Sequence, residues 1–136
     1  MRVPGSIFII FSALATLIFP NLAVWNDTHI FSELWSPHAR FHGAWQVLSS
    51  SGLAIIVLVV ILKGEADKDF RINLSAALLI MYWACLFLAM LVPGTALADP
   101  RKAYGGLFGI PLNPIFGGII ILFSVLGYWF NKRDIK

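Results

Sequence analysis

The sequence predicts an all-α fold: a four-helix transmembrane bundle, up-down-up-down, with both termini cytoplasmic. Three observations lead there. The 136-residue chain is 59% hydrophobic and 12% charged, with a mean hydropathy of +0.82. A soluble domain of this size does not carry so much apolar surface, so lipid is the natural solvent. Four runs, Pro4–Trp25, Gly43–Leu62, Ile72–Val92 and Leu112–Phe130, reach the roughly 20 apolar residues that a spanning helix needs and hold no charged side chain. Hydrocarbon leaves unpaired backbone without a partner, which favours helices, and the alternation of a membrane β-barrel is missing. The charges are sorted as well: Arg2, Lys63, Lys68, Arg71, Lys132, Arg133 and Lys136 fall on one side of a four-pass path, and Arg40, Arg101 and Lys102 on the other. The positive-inside rule then makes both termini cytoplasmic. The formal charge of +3 therefore reads as topology, and its scatter over segment ends argues against nucleic acid.

The chain reads as a single integral membrane domain, 1–136, with helices at about 4–25, 36–62, 72–92 and 112–130. The first segment also has the basic start and apolar stretch of a signal peptide. Its apolar run continues to Trp25, and Asn21 before Ala23 makes a poor cleavage site, so an uncleaved helix is expected. The second helix opens on Ser36-Pro37, a good cap followed by a good first-turn residue. It should therefore begin before the membrane proper. The loop from Lys63 to Arg71 is short, mixed in sign and solvated, and no function is assigned to it. Asn113-Pro114 repeats the cap-then-proline start for the fourth helix. Trp25, Trp35 and Trp45 mark the outer interface, and Tyr128 and Trp129 the inner one. Small residues four apart, Ser12 with Thr16, Ser50 with Ala54 and Cys85 with Ala89, allow close helix approach. The lone Cys85 excludes an intramolecular disulfide and reads as a packing residue.

The outer side concentrates the chemistry. All three histidines, His29, His38 and His42, lie within fourteen residues of one another. Glu33 follows His29 by four and His42 follows His38 by four, so two helical pairs could converge across Ser36-Pro37. The face continues through Trp45, Gln46 and Ser49. Three readings follow. One is a metal centre holding one divalent ion on His29, Glu33, His38 and His42, since imidazole and carboxylate suit zinc or iron. The spacing is similar to the His-x-x-x-His pairs of membrane di-iron hydroxylases and desaturases, but three histidines are too few for a di-iron site. The second is acid–base catalysis, with His38 and His42 carrying protons, Glu33 or Asp27 orienting them and Arg40 setting the charge. Asp99 and Arg101 of the glycine- and proline-rich third loop, with His29, Asp27, Gln46 and Trp45, would line the pocket. The third is structural: interfacial residues solvated by headgroups, Asp99 paired with Arg40, and Gln46 and Asn21 bridging helices by hydrogen bonds.

Other functions are set aside. Two histidines on one face of one helix cannot clasp a haem from both sides. The membrane-embedded glutamate of small multidrug transporters is absent, and the apolar inner half gives no polar path for a channel. Asn26-Asp27-Thr28 is a glycosylation sequon with meaning only in a eukaryotic host.

At Asn26-Asp27-Thr28-His29 and Trp35-Ser36-Pro37-His38-Ala39-Arg40-Phe41-His42, the chain resembles an uncharacterised family of small four-helix membrane proteins with a Thr-His … Pro-His-Ala-Arg-Phe-His signature. It is more loosely similar in architecture to the emopamil-binding and sigma-2 receptor group, whose members hold lipophilic amines beside acidic and histidine residues. That group's acids lie within its helices, where this chain has none. The resulting expectation is an outward-facing His/Glu/Arg pocket that binds a small lipophilic molecule, with acid–base or metal-assisted conversion as its chemistry. The alternative is a non-catalytic accessory subunit of a larger membrane complex. Membrane lipid and a membrane protein partner or second copy are the other expected contacts.

Overall fold

A computed structural model describes residues 5–98 and 106–134. The chain is all-α in its main elements: α1 (Gly5–Val24), α2 (Pro37–Lys63), α3 (Lys68–Ala89) and α4 (Leu112–Asp134). All four are long and apolar enough to cross a membrane, and only 22–28% of each span is buried inside the bundle. Ile7, Ile18, Leu22, Ile56 and Leu62 point outward instead. That balance suits a helix solvated by lipid on most of its circumference.

α1 packs extensively along α2 and α4, and α3 along α4, whereas α2 and α3 touch only slightly. The core is small: Ile9 and Ala13 of α1 meet Val57 of α2 and Ile72, Ala76 and Leu79 of α3. Close approach of α1 and α4 depends on two glycines. A Cβ on Gly5 would collide with the carbonyl of Gly127, and one on Gly127 would lie 2.8 Å from Cδ1 of Ile9. Aromatic contacts continue the seam, Phe8 stacking on Phe130 at 5.2 Å and Phe19 on Phe116 at 4.1 Å.

Without a hydrophobic force between helices in lipid, buried hydrogen bonds supply part of the specificity. Trp83 Nε1 donates to Thr16 Oγ1 at 2.8 Å, and Thr16 donates in turn to the Ser12 carbonyl at 2.8 Å. Asn21 Nδ2 reaches Ser51 Oγ at 2.8 Å, joining α1 to α2 as the bridging reading anticipates. Of the small-residue pairs, Ser12, Thr16, Ser50 and Ala54 are buried, while Cys85 and Ala89 are exposed.

α3 starts four residues earlier than the apolar pattern suggests. Asp67 caps it, accepting from the backbone of Asp69 and Phe70 at 2.9 and 3.1 Å. The supposedly solvated stretch is thus partly helix, and it is wired into the bundle. Asp69 accepts from Lys132 Nζ at 2.7 Å, from Asn131 Nδ2 at 2.7 Å and from Asn73 Nδ2 at 3.2 Å. Arg71 Nη1 donates to the Ile61 carbonyl at 3.0 Å, closing the end of α2. At its other end α3 stops at Ala89, and turns through Met90–Gly94 replace its expected last residues. The third loop contains an unforeseen hairpin, β1 (Gly106–Leu107) paired antiparallel with β2 (Ile110–Pro111). Phe108 and Gly109 at its tip have φ of 53° and 77°, as a mirror-image turn requires.

Candidate functional site

The start of α2 follows the local rules of its sequence. Ser36 Oγ accepts from Ala39 N at 3.2 Å, and Pro37 occupies the first turn. Helical spacing then sets His38 and His42 on one face, where their Nε2 atoms lie 3.0 Å apart with the rings at 87°. Both rings are exposed, flanked by Phe41 and Trp45.

His29 belongs to a different assembly. Its Nδ1 is 2.8 Å from Thr28 Oγ1, and its ring meets Trp35 edge-on at 5.5 Å. The cause is the folding of the first loop onto α2. Ile30 and Ser32 are buried there, Trp35 covers Gly43 so closely that a Cβ would sit 2.8 Å from its ring, and Arg40 Nη2 donates to the Ser32 carbonyl at 2.9 Å. Arg40 therefore holds the loop in place, with its Nε buried and unpartnered. Glu33 and Asp27 are exposed. Among the described residues, no three His, Cys, Asp or Glu side chains come close enough to hold a metal ion. No three of His29, Glu33, His38 and His42 are spaced to share an ion: His29 lies against Thr28 and Trp35, and His38 and His42 form a pair. Asp99 and Arg101 lie outside the described residues.

A cavity of about 490 Å³ lies further along, between α2, α3 and the start of the α3–α4 connection. Trp83, Cys85, Leu86, Ala89, Met90 and Leu97 supply most of its wall; Gln46, Tyr82, Thr95 and Asn113 supply the polar groups. Gln46 Nε2 donates to Tyr82 Oη at 2.5 Å across the α2–α3 gap. Thr95 Oγ1 donates to the carbonyls of Ala89 or Val92, each at 2.9 Å, and so is spent on closing α3. Trp83 ties the wall to α1 through Thr16. None of the lining residues named here carries a charge.

Of the expected pocket residues that are described, Gln46 alone is among those lining this cavity; Trp45 is exposed beside His42. Tyr82, Cys85 and Asn113 were not foreseen as site residues. Tyr82 could have been flagged as a phenol placed within an otherwise apolar run, but its pairing with Gln46 depends on how two helices cross, which neither segment encodes alone.

A model of a family of unknown function, DUF6640, matches residues 8–135. The chain belongs to the DUF6640 family. That assignment covers all four helices and carries no activity with it. No curated protein and no solved structure matches the chain significantly.

Proposed function

We propose that this DUF6640 protein binds a small, largely apolar molecule with one neutral polar head in the cleft between α2 and α3. The observation that supports the reading is the Gln46–Tyr82 hydrogen bond, which faces a cavity of about 490 Å³ walled mainly by apolar side chains. That volume is in the usual range for small-molecule sites, of about 300–1,000 Å³. An amide and a phenol together offer donors and acceptors without charge, which suits a hydroxyl or carbonyl head. The slight α2–α3 contact favours entry from the lipid side. A lipophile held between helices is also what the resemblance to the emopamil-binding group implies. Acid–base conversion would draw on His42, which precedes Gln46 by one helical turn.

We further infer an up-down-up-down bundle with both termini cytoplasmic. The bias of Lys63, Lys68, Arg71, Lys132 and Arg133 supports the orientation. The contacts Gly5–Gly127, Ile61–Arg71 and Asp69–Lys132 support the arrangement, since they gather both ends of the chain path at one end of the bundle. The histidine pair and the cleft would then belong to the outer leaflet.

The test uses the purified protein in phosphatidylcholine nanodiscs with a long-chain fatty alcohol bearing a photoreactive diazirine. Crosslinking should concentrate on peptides containing Gln46, Tyr82 and Leu86 and fall several-fold in a Gln46→Leu, Tyr82→Phe variant. Labelling spread evenly over the outward faces of α1 and α4, unchanged in that variant, would overturn the reading.

A second reading, an accessory subunit, draws on Phe41, Trp45 and Leu48. They are 61%, 58% and 63% exposed and lie at i, i+4 and i+7 on α2, a stripe another spanning helix could cover. Copurification from native membranes of a stoichiometric partner, lost in a Phe41→Ala, Leu48→Ala variant, would favour it.

A further inference from the structure

We propose that His38 and His42 form a two-imidazole chelate for one borderline divalent cation, Zn(II), Ni(II) or Cu(II), at the N-terminal end of α2. Neither histidine lines the cleft between α2 and α3, so cation binding here does not depend on a ligand held there, although a bound ion would occupy the His42 nitrogen that acid–base conversion would use.

The spacing of the two ring nitrogens is already that of a chelate. Imidazole nitrogens bind zinc at about 2.0–2.1 Å, so two nitrogens on one ion sit about 2.9 Å apart at a right angle and about 3.3 Å apart at a tetrahedral angle. The observed Nε2···Nε2 spacing of 3.0 Å falls between these limits. A shared N–H···N proton occupies that position when the pair is metal-free. On metal binding the donor ring carries its proton on Nδ1 instead, and both Nε2 lone pairs turn to the ion. Neutral imidazoles thus bind without net loss of a proton.

The rings are held for this purpose by structure that has nothing to do with a metal. Ser36 and Pro37 fix the first turn of α2, and Trp35 on Gly43 with Arg40 on Ser32 braces the preceding loop. Phe41 lies alongside the His38 ring, and Trp45 lies beside His42. The helix backbone that carries both rings is thus set before any ion arrives, which lowers the ordering cost of binding. Both imidazoles are exposed on the first turns of α2, whose 27 residues exceed the roughly 20 that a span needs, so this end can stand outside the hydrocarbon within reach of an ion and its waters.

The ligand chemistry selects the cation. Two neutral nitrogens suit copper, nickel and zinc, with Cu(II) held more tightly than Zn(II), and give nothing to magnesium or calcium, which require oxygen. No third His, Cys, Asp or Glu among the described residues joins the pair. With no third such ligand among the described residues, the remaining positions are open to water and the ion to exchange, unlike the closed four-ligand sites of structural zinc.

The test uses tag-free, chelator-treated, full-length protein in phosphatidylcholine nanodiscs. Calorimetric titration with Zn(II) should give one ion per chain. His38→Ala and His42→Ala should each weaken binding at least tenfold, His29→Ala should leave it unchanged, and Mg(II) should give no binding heat. Electron paramagnetic resonance of the Cu(II) form should show coupling to two imidazole nitrogens in the wild-type protein and to one in either single variant; this wild-type measurement does not depend on any variant folding. Binding that survives His38→Ala at full strength, an equal loss on His29→Ala, or a wild-type copper spectrum without two imidazole nitrogens would each overturn the proposal.

Discussion

Trp83 Nε1 donates to Thr16 Oγ1 at 2.8 Å, and both side chains are almost completely buried. The same hydroxyl donates to the Ser12 carbonyl one turn back, so Thr16 is acceptor and donor at once. Thr16→Val keeps the shape and removes both functions, leaving the indole N–H unpaired inside the bundle. The expected cost is about 1–2 kcal/mol, in the range for buried and intramembrane hydrogen bonds. It should appear as a lowered midpoint of thermal unfolding in detergent, with Thr16→Ser staying near wild type. A Val variant as stable as the Ser variant would show that this bond contributes nothing.

A side chain on Gly127 must displace Ile9, and one larger than a methyl must also move the Gly5 carbonyl, 3.0 Å from the missing Cβ. The missing Cβ of Gly127 leaves room for Ile9, whose Cδ1 would otherwise be 2.8 Å away. Gly127→Val should destabilise the protein by about 1–3 kcal/mol, as overpacking generally does. Gly52, with no atom near its absent Cβ, is the comparison: Gly52→Ala should be neutral or slightly stabilising in the same melt.

The Asp69–Lys132 pair predicts an asymmetry between its partners. Lys132 is one of three donors to the Asp69 carboxylate, the others being Asn131, which is buried, and Asn73. Lys132→Ala removes a half-exposed ammonium and leaves the two amides paired. Asp69→Ala takes the acceptor from all three, and a buried amide without a partner costs more than a surface ion pair contributes. The Asp69 variant should therefore melt clearly below the Lys132 variant. The reverse order would mean that the charge, and not the amide bonding, holds α3 to α4 at this point.

Cys85 makes the cleft accessible to chemistry. It lines the cavity, it is exposed, and it is the only cysteine in the chain. N-ethylmaleimide, small and uncharged, should label it in membranes. Gly-to-bulky changes are not needed to close the space: Ala89→Trp on the same wall should fill it and slow labelling several-fold. Equal rates in the two proteins would mean that Cys85 is reached from lipid by a route that does not pass through the cavity.

The four spans and the start of α2 could be read directly, because a 20-residue apolar run and a Ser-Pro cap are local signals that tertiary contacts only reinforce. The first turn of α3 escaped for the opposite reason. Lys68, Asp69 and Arg71 look like solvated loop residues until Asp67 caps them and α4 supplies partners more than sixty positions away. The histidines divide along the same line. The meeting of His38 with His42 is a matter of helical spacing, whereas the fate of His29 is decided by Trp35 settling on Gly43. The cavity was the least legible feature, since its lining is drawn from α2, α3, α4 and the connection after α3, which no single segment encodes.

The extensive contact between α1 and α4 bears on how the protein is made. Ser12 reaches for the Ile120 carbonyl across 108 positions of sequence, and Gly5 lies against Gly127. Because α1 is synthesised before α4, its seam of small and hydroxyl-bearing residues has no α4 to cover it until the last helix is made. A nascent chain stopped before residue 112 would keep that seam uncovered, and membrane quality control would have a ready means of telling unfinished copies from finished ones.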